Sequence, residues 1–257
     1  MIKIVDKIDK VLLFHDINQS SRTGMQKNDS RYLLDWKKFK RIFEFKSDLG
    51  IAFEPINIIT NCHSPKSQIR ITIDDGGGSC IKIAKFLKTK NIKGYFFLVS
   101  DFIGKTNFLN VDEIKEIFNM GHVIGSHSHT HPHPFHLLNY DEVLFEVKKS
   151  KTILEKIIQA PIKTFSVPGG EVNKNILKTL NDPILDLDEV YISTPYKGIK
   201  NFKFSNNIKI FGRLCIEAEM SNSLIQRYLL DKGWFFALLD YQVRRFVREI
   251  MYKLKIR

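Results

Sequence analysis

The chain has 257 residues, a length that fits one large domain or two small ones and that α/β barrels commonly reach as a single unit. A hydrophobic content of 43%, with twenty Phe and no long polar tract, excludes wholesale disorder. The net charge of +12 makes an anionic partner (nucleic acid, an acidic membrane face or a phosphorylated substrate) plausible, and equally fits a basic composition spread over solvated faces.

In chain order, "VLLFHDI" at 11–17 is the first of several short apolar runs that read as buried strands, and it ends on His15 and Asp16. Polar connections are expected over 18–34 and 49–67. "IRITIDD" at 69–75 and "GYFFLVS" at 94–100 are the next strands. Asn110 with Glu113 three residues on predicts a capping box that starts a helix. "HVIGSHS" at 122–128 precedes a second such box, Asn139 with Glu142, whose helix carries Val143, Val147, Leu154 and Ile158 on one core-facing stripe. "TFSVPG" at 164–169 and "EVYIST" at 189–194 complete the strands. Runs this apolar suit a parallel sheet covered on both faces, and their alternation with helices predicts an α/β fold. No internal repeat or linker divides the chain.

Cys62, Cys80 and Cys215 are odd in number and lack CxxC spacing, which argues against a disulfide framework or a zinc ribbon and fits a reducing compartment. The N-terminal "MIKIVDKIDK" has no continuous apolar core of the kind a secretory signal carries, and no run reaches the roughly 20 residues that span a bilayer. The expected location is cytoplasmic, or peripheral on the inner face of a membrane.

The notable polar residues fall at the C-terminal ends of the strands, where α/β sites are built. Asp74 and Asp75 in "TIDDGGGS" are adjacent carboxylates that need a cation or donors to stay ionised, and on an extended backbone they would point to opposite faces. "GGGS" also fits a phosphate cradle weakly, without the lysine of a P-loop. Five of the eight histidines fall within 127–136, "HSHTHPHPFH". His127 and His131 are four apart, so a helical turn would bring both to one face, and with one carboxylate they would make a His2Asp metal site with an open position; His129 would then point elsewhere.

"TIDDGGGS", "HSHTHP" and "FSVPGG" together resemble the polysaccharide deacetylase family, the NodB-homology or carbohydrate esterase family 4 group, over roughly residues 10–215. The resemblance implies a distorted, partly open (β/α) barrel and a metal-dependent carbohydrate deacetylase that removes N-acetyl groups from amino sugars of a polysaccharide, oligosaccharide or lipid-linked glycan precursor. It implies Asp74 as general base, Asp75, His127 and His131 as ligands of a divalent ion, most readily Zn²⁺, and Ser128 as a buttress of the ligand loop. Pro168, Gly169 and Gly170 would wall the substrate groove and lend a backbone N–H to the oxyanion. Two departures stand out. Ser166 occupies the place of the family's third-motif arginine, with Arg213 or a lysine as the candidate substitute. No histidine follows His136, so the family's late Leu-x-His acid is missing; His15 is the candidate replacement, with packing or loop capping as the alternative role.

Residues 1–215 are thus expected to form the barrel and 216–257 a helical, basic extension. There Phe235, Leu239, Val243, Phe246, Ile250 and Leu254 follow helical spacing after Trp234, with Arg244, Arg245, Arg248, Lys253, Lys255 and Arg257 as cations. Such a helix either docks on the barrel with a solvated basic face or lies on an anionic membrane through 234–257. The main alternative to the enzyme is a catalytically impaired carbohydrate-binding module of the same fold. Dispersed lysines and arginines argue against nucleic acid as a partner.

Overall fold

The computed structural model describes residues 8–18, 27–49, 51–57, 68–197, 199–200 and 208–253. Cys62, Leu254, Lys255 and Arg257 lie outside the described residues. Strands β1 (Ile8–Phe14), β4 (Gln68–Ile73), β5 (Gly94–Leu98), β6 (Val123–Ser126), β7 (Thr164–Ser166), β8 (Glu189–Ile192), β10 (Lys209–Gly212) and β11 (Leu214–Cys215) are all parallel, in the spatial order β11-β1-β4-β5-β6-β7-β8-β10. Strand β9 (Ile199–Lys200) adds antiparallel to β10 at the edge. β10 pairs with β8 at one end of the sheet, and two residues later β11 pairs with β1 at the other end. One chain segment, broken only at Arg213, therefore spans the seam of a nearly closed barrel.

The expected strand at 11–17 begins earlier and stops before His15. Asp16–Ile17 (β2) pairs instead with Leu33–Leu34 (β3) in a separate two-stranded sheet. The cause is local: the Asp16 carboxylate accepts the Ser79 hydroxyl, and the Ile17 N–H donates to Ser79 Oγ at 3.1 Å, which holds this segment against the loop after β4. The other strands end two or three residues short of the apolar runs, so the polar residues that terminate those runs sit on loops.

Helices cover the outside. They are α1 (Trp36–Leu49), α2 (Cys80–Thr89), α3 (Val111–Asn119), α4 (Tyr140–Ile158), α5 (Lys174–Leu180), α6 (Asn222–Leu229) and α7 (Trp234–Lys253). α3 and α4 start at the two expected capping boxes, with the Asn110 and Asn139 side chains accepting from the Glu113 and Glu142 N–H groups and both glutamates reaching back. Val143, Val147, Leu154 and Ile158 of α4 are buried. Asp35 caps α1 by accepting the N–H groups of Lys37 and Lys38, and Phe39 and Phe43 behind it stack into a cluster with Trp36, Phe53 and Phe86. Ile225, Tyr228, Leu229, Trp234 and Ala237 of the C-terminal segment join that same core.

Alternation along β4 sorts two environments. Ile69, Ile71 and Ile73 face the helices, in the large outer core. Arg70, Thr72 and, one step past the strand, Asp74 face the barrel interior, whose apolar part is Tyr95, Phe97, Tyr191 and Phe211. The interior is thus layered, with Asp74 at the C-terminal mouth.

Candidate active site

Asp74 is 2% exposed, and its carboxylate is gripped from two sides. Arg213 donates Nη1 to Oδ1 at 2.7 Å and Nη2 to Oδ2 at 2.8 Å, a bidentate pair. Ser166 Oγ donates to Oδ2 at 2.9 Å and accepts from Arg213 Nη2 at 2.9 Å. The cation absent from position 166 therefore arrives from the barrel seam, and the serine in its place completes the contact. Burial pushes the Asp74 carboxyl up, but Arg213 and His127 more than reverse this and hold it below the ordinary carboxylate range.

Asp75 does not continue the strand. Its φ of 73° lies in the left-handed region, uncommon for a residue with a side chain. Strand alternation therefore does not separate the two aspartates; a turn does. Asp75 Oδ1 faces His127 Nε2 at 3.3 Å and His131 Nε2 at 3.6 Å. Burial raises the Asp75 carboxyl, and its contacts with the surrounding imidazoles, led by the hydrogen bond from His127, more than reverse this and hold it well below its usual value.

The two histidines do converge, with ring centroids 5.0 Å apart, but not on a helical turn. Residues 127–131 form an irregular bend with Ser128 at φ 67° and His131 at φ 59°. Three contacts hold that shape. Ser128 Oγ accepts the His131 N–H at 3.0 Å; Glu146 on α4 accepts the N–H groups of His129 and Thr130 at 2.8 Å each; His129 Nδ1 turns away to Ser100 Oγ at 2.8 Å. Backbone strain of this kind, held by surrounding bonds, is typical of ligand clamps. His127 Nδ1 donates to the Ser166 carbonyl at 2.8 Å, so Nε2 is the nitrogen that faces Asp75 and the one available to a ligand.

One ligand atom from each of Asp75, His127 and His131 lies within 4.8 Å of the others. Two imidazole nitrogens and one carboxylate oxygen at a cleft mouth form a donor set that fits a divalent ion and leaves a position open. Burial with the neighbouring His127 lowers the His131 value to about 4, so its ring is neutral and able to ligate at neutral pH.

A cleft of about 860 Å³ opens over this cluster, within the range of small-ligand sites. His15 lines it with Tyr32, their rings 4.7 Å apart; His15 Nδ1 is buried with no partner, and burial lowers the ring's pKa despite Asp75 and Asp74 nearby. Gly169 and Gly170 line the cleft as expected, at φ 66° and 68°. Pro168 is buried behind them and is not part of the lining. A Cβ on Gly170 would sit 2.2 Å from Ser193 Oγ, so only glycine fits. The Val167 and Gly170 N–H groups are taken by the carbonyls of Tyr191 and Val167. The phosphate-cradle reading of "GGGS" fails: Ser79 is fully buried and its hydroxyl is bound to an anion, Asp16.

Three features went unnoticed in the sequence. Arg70 and Glu146 are buried polar anchors whose partners come from distant segments. The third is the row Ala237, Tyr241, Arg244 and Arg248, by which α7 forms one wall of the cleft. An arginine four residues from another on a helix signals a shared face, but not what that face meets.

A nearly closed parallel barrel with a carboxylate and imidazole cluster at its C-terminal mouth defines a class of barrel proteins with a candidate hydrolytic metal centre. Residues 62–184 match the family model described as polysaccharide deacetylase. The chain is 32% identical over 146 residues to a peptidoglycan-N-acetylglucosamine deacetylase of Bacillus cereus, covering 56% of this chain and 51% of that protein. It therefore spans about half the length of that relative. In fold it is similar to a polysaccharide deacetylase from Bacillus cereus, with a TM-score of 0.68 at 19% identity over 87% of this chain and 69% of the other. It is likewise similar to the Streptococcus pyogenes deacetylase PplD solved with acetate, with a TM-score of 0.67 at 18% identity over 87% and 99%.

Proposed function

We propose that the chain hydrolyses the acetamide of an N-acetylated amino sugar within a polysaccharide, oligosaccharide or lipid-linked glycan precursor, using a divalent ion, zinc by preference, held by Asp75, His127 and His131. The segment 234–257 meets an anionic membrane. The observation that carries the reading is the pairing of two carboxylates with separate partners: Asp75 turned to the imidazoles, Asp74 turned to Arg213.

When bound, such an ion polarises the acetyl carbonyl and makes a neighbouring water more acidic. Asp74 accepts the proton of the attacking water, since Arg213 keeps it ionised and fixed in orientation. The Gly169 N–H is the donor this reading assigns to the developing oxyanion, because those of Val167 and Gly170 are occupied and Pro168 has none. As the C–N bond breaks, the acyl carbon leaves with the water oxygen as acetic acid, which ionises to acetate and gives its proton to solvent or the free amine, and the proton held by Asp74 passes to the amine nitrogen, directly or through His15. On the route through His15, its neutral ring gains that proton during the reaction. The binding-module alternative drew on two departures, the missing cation at position 166 and the missing late histidine; Arg213 supplies the first, and His15 is the residue proposed for the second.

Acetate release from an N-acetylated amino-sugar oligosaccharide tests this. Zinc-loaded wild type should release acetate, and Asp74→Asn should lower kcat about 10³-fold while zinc content is unchanged. Full activity in Asp74→Asn would overturn the role given to that residue.

A further inference from the structure

Helix α7 has two unlike faces. On one, Arg248 donates Nε and Nη2 to Glu171 at 2.9 and 2.6 Å, and Arg244 donates to Glu217 at 3.2 Å, so the helix is tied across the cleft that it walls. On the other, Phe235, Phe236, Leu239, Val243, Phe246 and Ile250 fall within a single arc of about 100° at 3.6 residues per turn. All are exposed, Phe235 to 70% and Phe246 to 64%. An apolar stripe running the length of a helix, pointing away from the core, marks an interaction surface.

Charge identifies what covers it. From Arg227 to Arg257 the sequence holds eight lysines and arginines against three acidic residues, Asp231, Asp240 and Glu249, and the balance stays cationic after Arg244 and Arg248 are set against Glu217 and Glu171, within a chain of net charge +12. Two copies joined through this face would bring two such excesses together. A sheet of anionic headgroups would neutralise them while taking the apolar side chains into its acyl boundary. No helix among the described residues is long and apolar enough to cross a membrane, so the contact is with a surface.

We infer that the outer face of α7 docks on an anionic lipid surface. The opposite face of the same helix lines the cleft, and a helix is only about 10 Å across, so docking brings the cleft to the lipid surface. In this the inference deepens the glycan reading and rests on it: the substrate class is an N-acetylated glycan presented at a membrane. The docking itself stands on the stripe and the charge.

The test is co-sedimentation of the full chain with vesicles of phosphatidylcholine alone and of phosphatidylcholine mixed equally with phosphatidylglycerol. Wild type should bind the mixed vesicles, in a salt-sensitive way, at least about tenfold more tightly than the neutral ones. The double variant Phe235→Ser, Phe246→Ser should lose at least about tenfold in binding to the mixed vesicles. Both side chains are exposed, so the variant should release acetate from a soluble oligosaccharide as wild type does. Equal vesicle binding by wild type and variant, or none by either, would overturn the docking. So would a wild-type dimer in light scattering that the variant abolishes, which would assign the face to a second copy. Docking with no acetate release from any amino sugar would sustain the surface and sink only the deacetylase reading.

Discussion

The barrel interior holds two buried arginines, one at each end, and they are used differently. Arg70, in the lower layer, donates to Glu54 at 2.6 Å, to Glu189 at 2.8 Å and to the Tyr191 hydroxyl at 2.5 Å, and lies over the rings of Tyr95 and Phe211. Its carboxylates are in turn bonded by Tyr95 and Tyr191. That layer is closed: every partner faces another, and none borders the cleft. Arg213, in the upper layer, holds Asp74 with two bonds and shares Ser166, while its Nε is buried without a partner. Beside it Asp75 and two imidazoles face one another across gaps of 3.3 and 3.6 Å. A closed charge cluster fixes a fold; an incompletely paired one at a cleft mouth is poised for a ligand.

The contrast can be broken by exchanging one arginine at a time. Arg70→Met strands the buried Glu54 and half-buried Glu189 carboxylates and should cost about 3–5 kcal/mol of stability in a denaturant titration, with kcat per folded molecule unchanged; a fall in kcat without loss of stability would reverse the assignment. Arg213→Met should lower kcat about 10²-fold, because the base loses its orientation. It should also move the acid limb of the pH profile upward, since the largest of the charges that oppose burial at the Asp74 carboxyl is then gone. In wild type the sign is opposite. A folded value below the unfolded one means that Asp74 contributes stability above the ordinary carboxylate pKa, and that this is lost as the pH falls through the folded value. Glu146→Gln sharpens the picture with a smaller effect: the His129 and Thr130 N–H groups lose a charged acceptor, and zinc affinity should fall about tenfold in calorimetry with the fold intact.

The sequence was most informative where local rules govern. Both asparagine capping boxes, the apolar stripe of α4 and the strand runs follow from spacing alone, and Asp75, His127 and His131 were legible as a carboxylate and two imidazoles of ligand type. Their geometry was not. The histidines meet through an irregular bend with positive φ at Ser128 and His131, which a four-residue spacing read as a helical turn cannot reveal. The resemblance implied a barrel, but the way it closes was not legible: β10 and β11 are two short strands, and only their pairing with opposite edges of the sheet delivers Arg213 to Asp74. Arg70 and Glu146 escaped notice for the same reason, since each draws its meaning from partners brought near by the fold.

The most direct measurement is zinc binding by isothermal calorimetry on metal-stripped wild type beside His127→Ala. One ion per wild-type chain, with affinity reduced at least about 10²-fold when His127 is removed, is the result expected of a centre built from Asp75, His127 and His131. Equal affinity in the two proteins, or no stoichiometric binding in wild type, would contradict it.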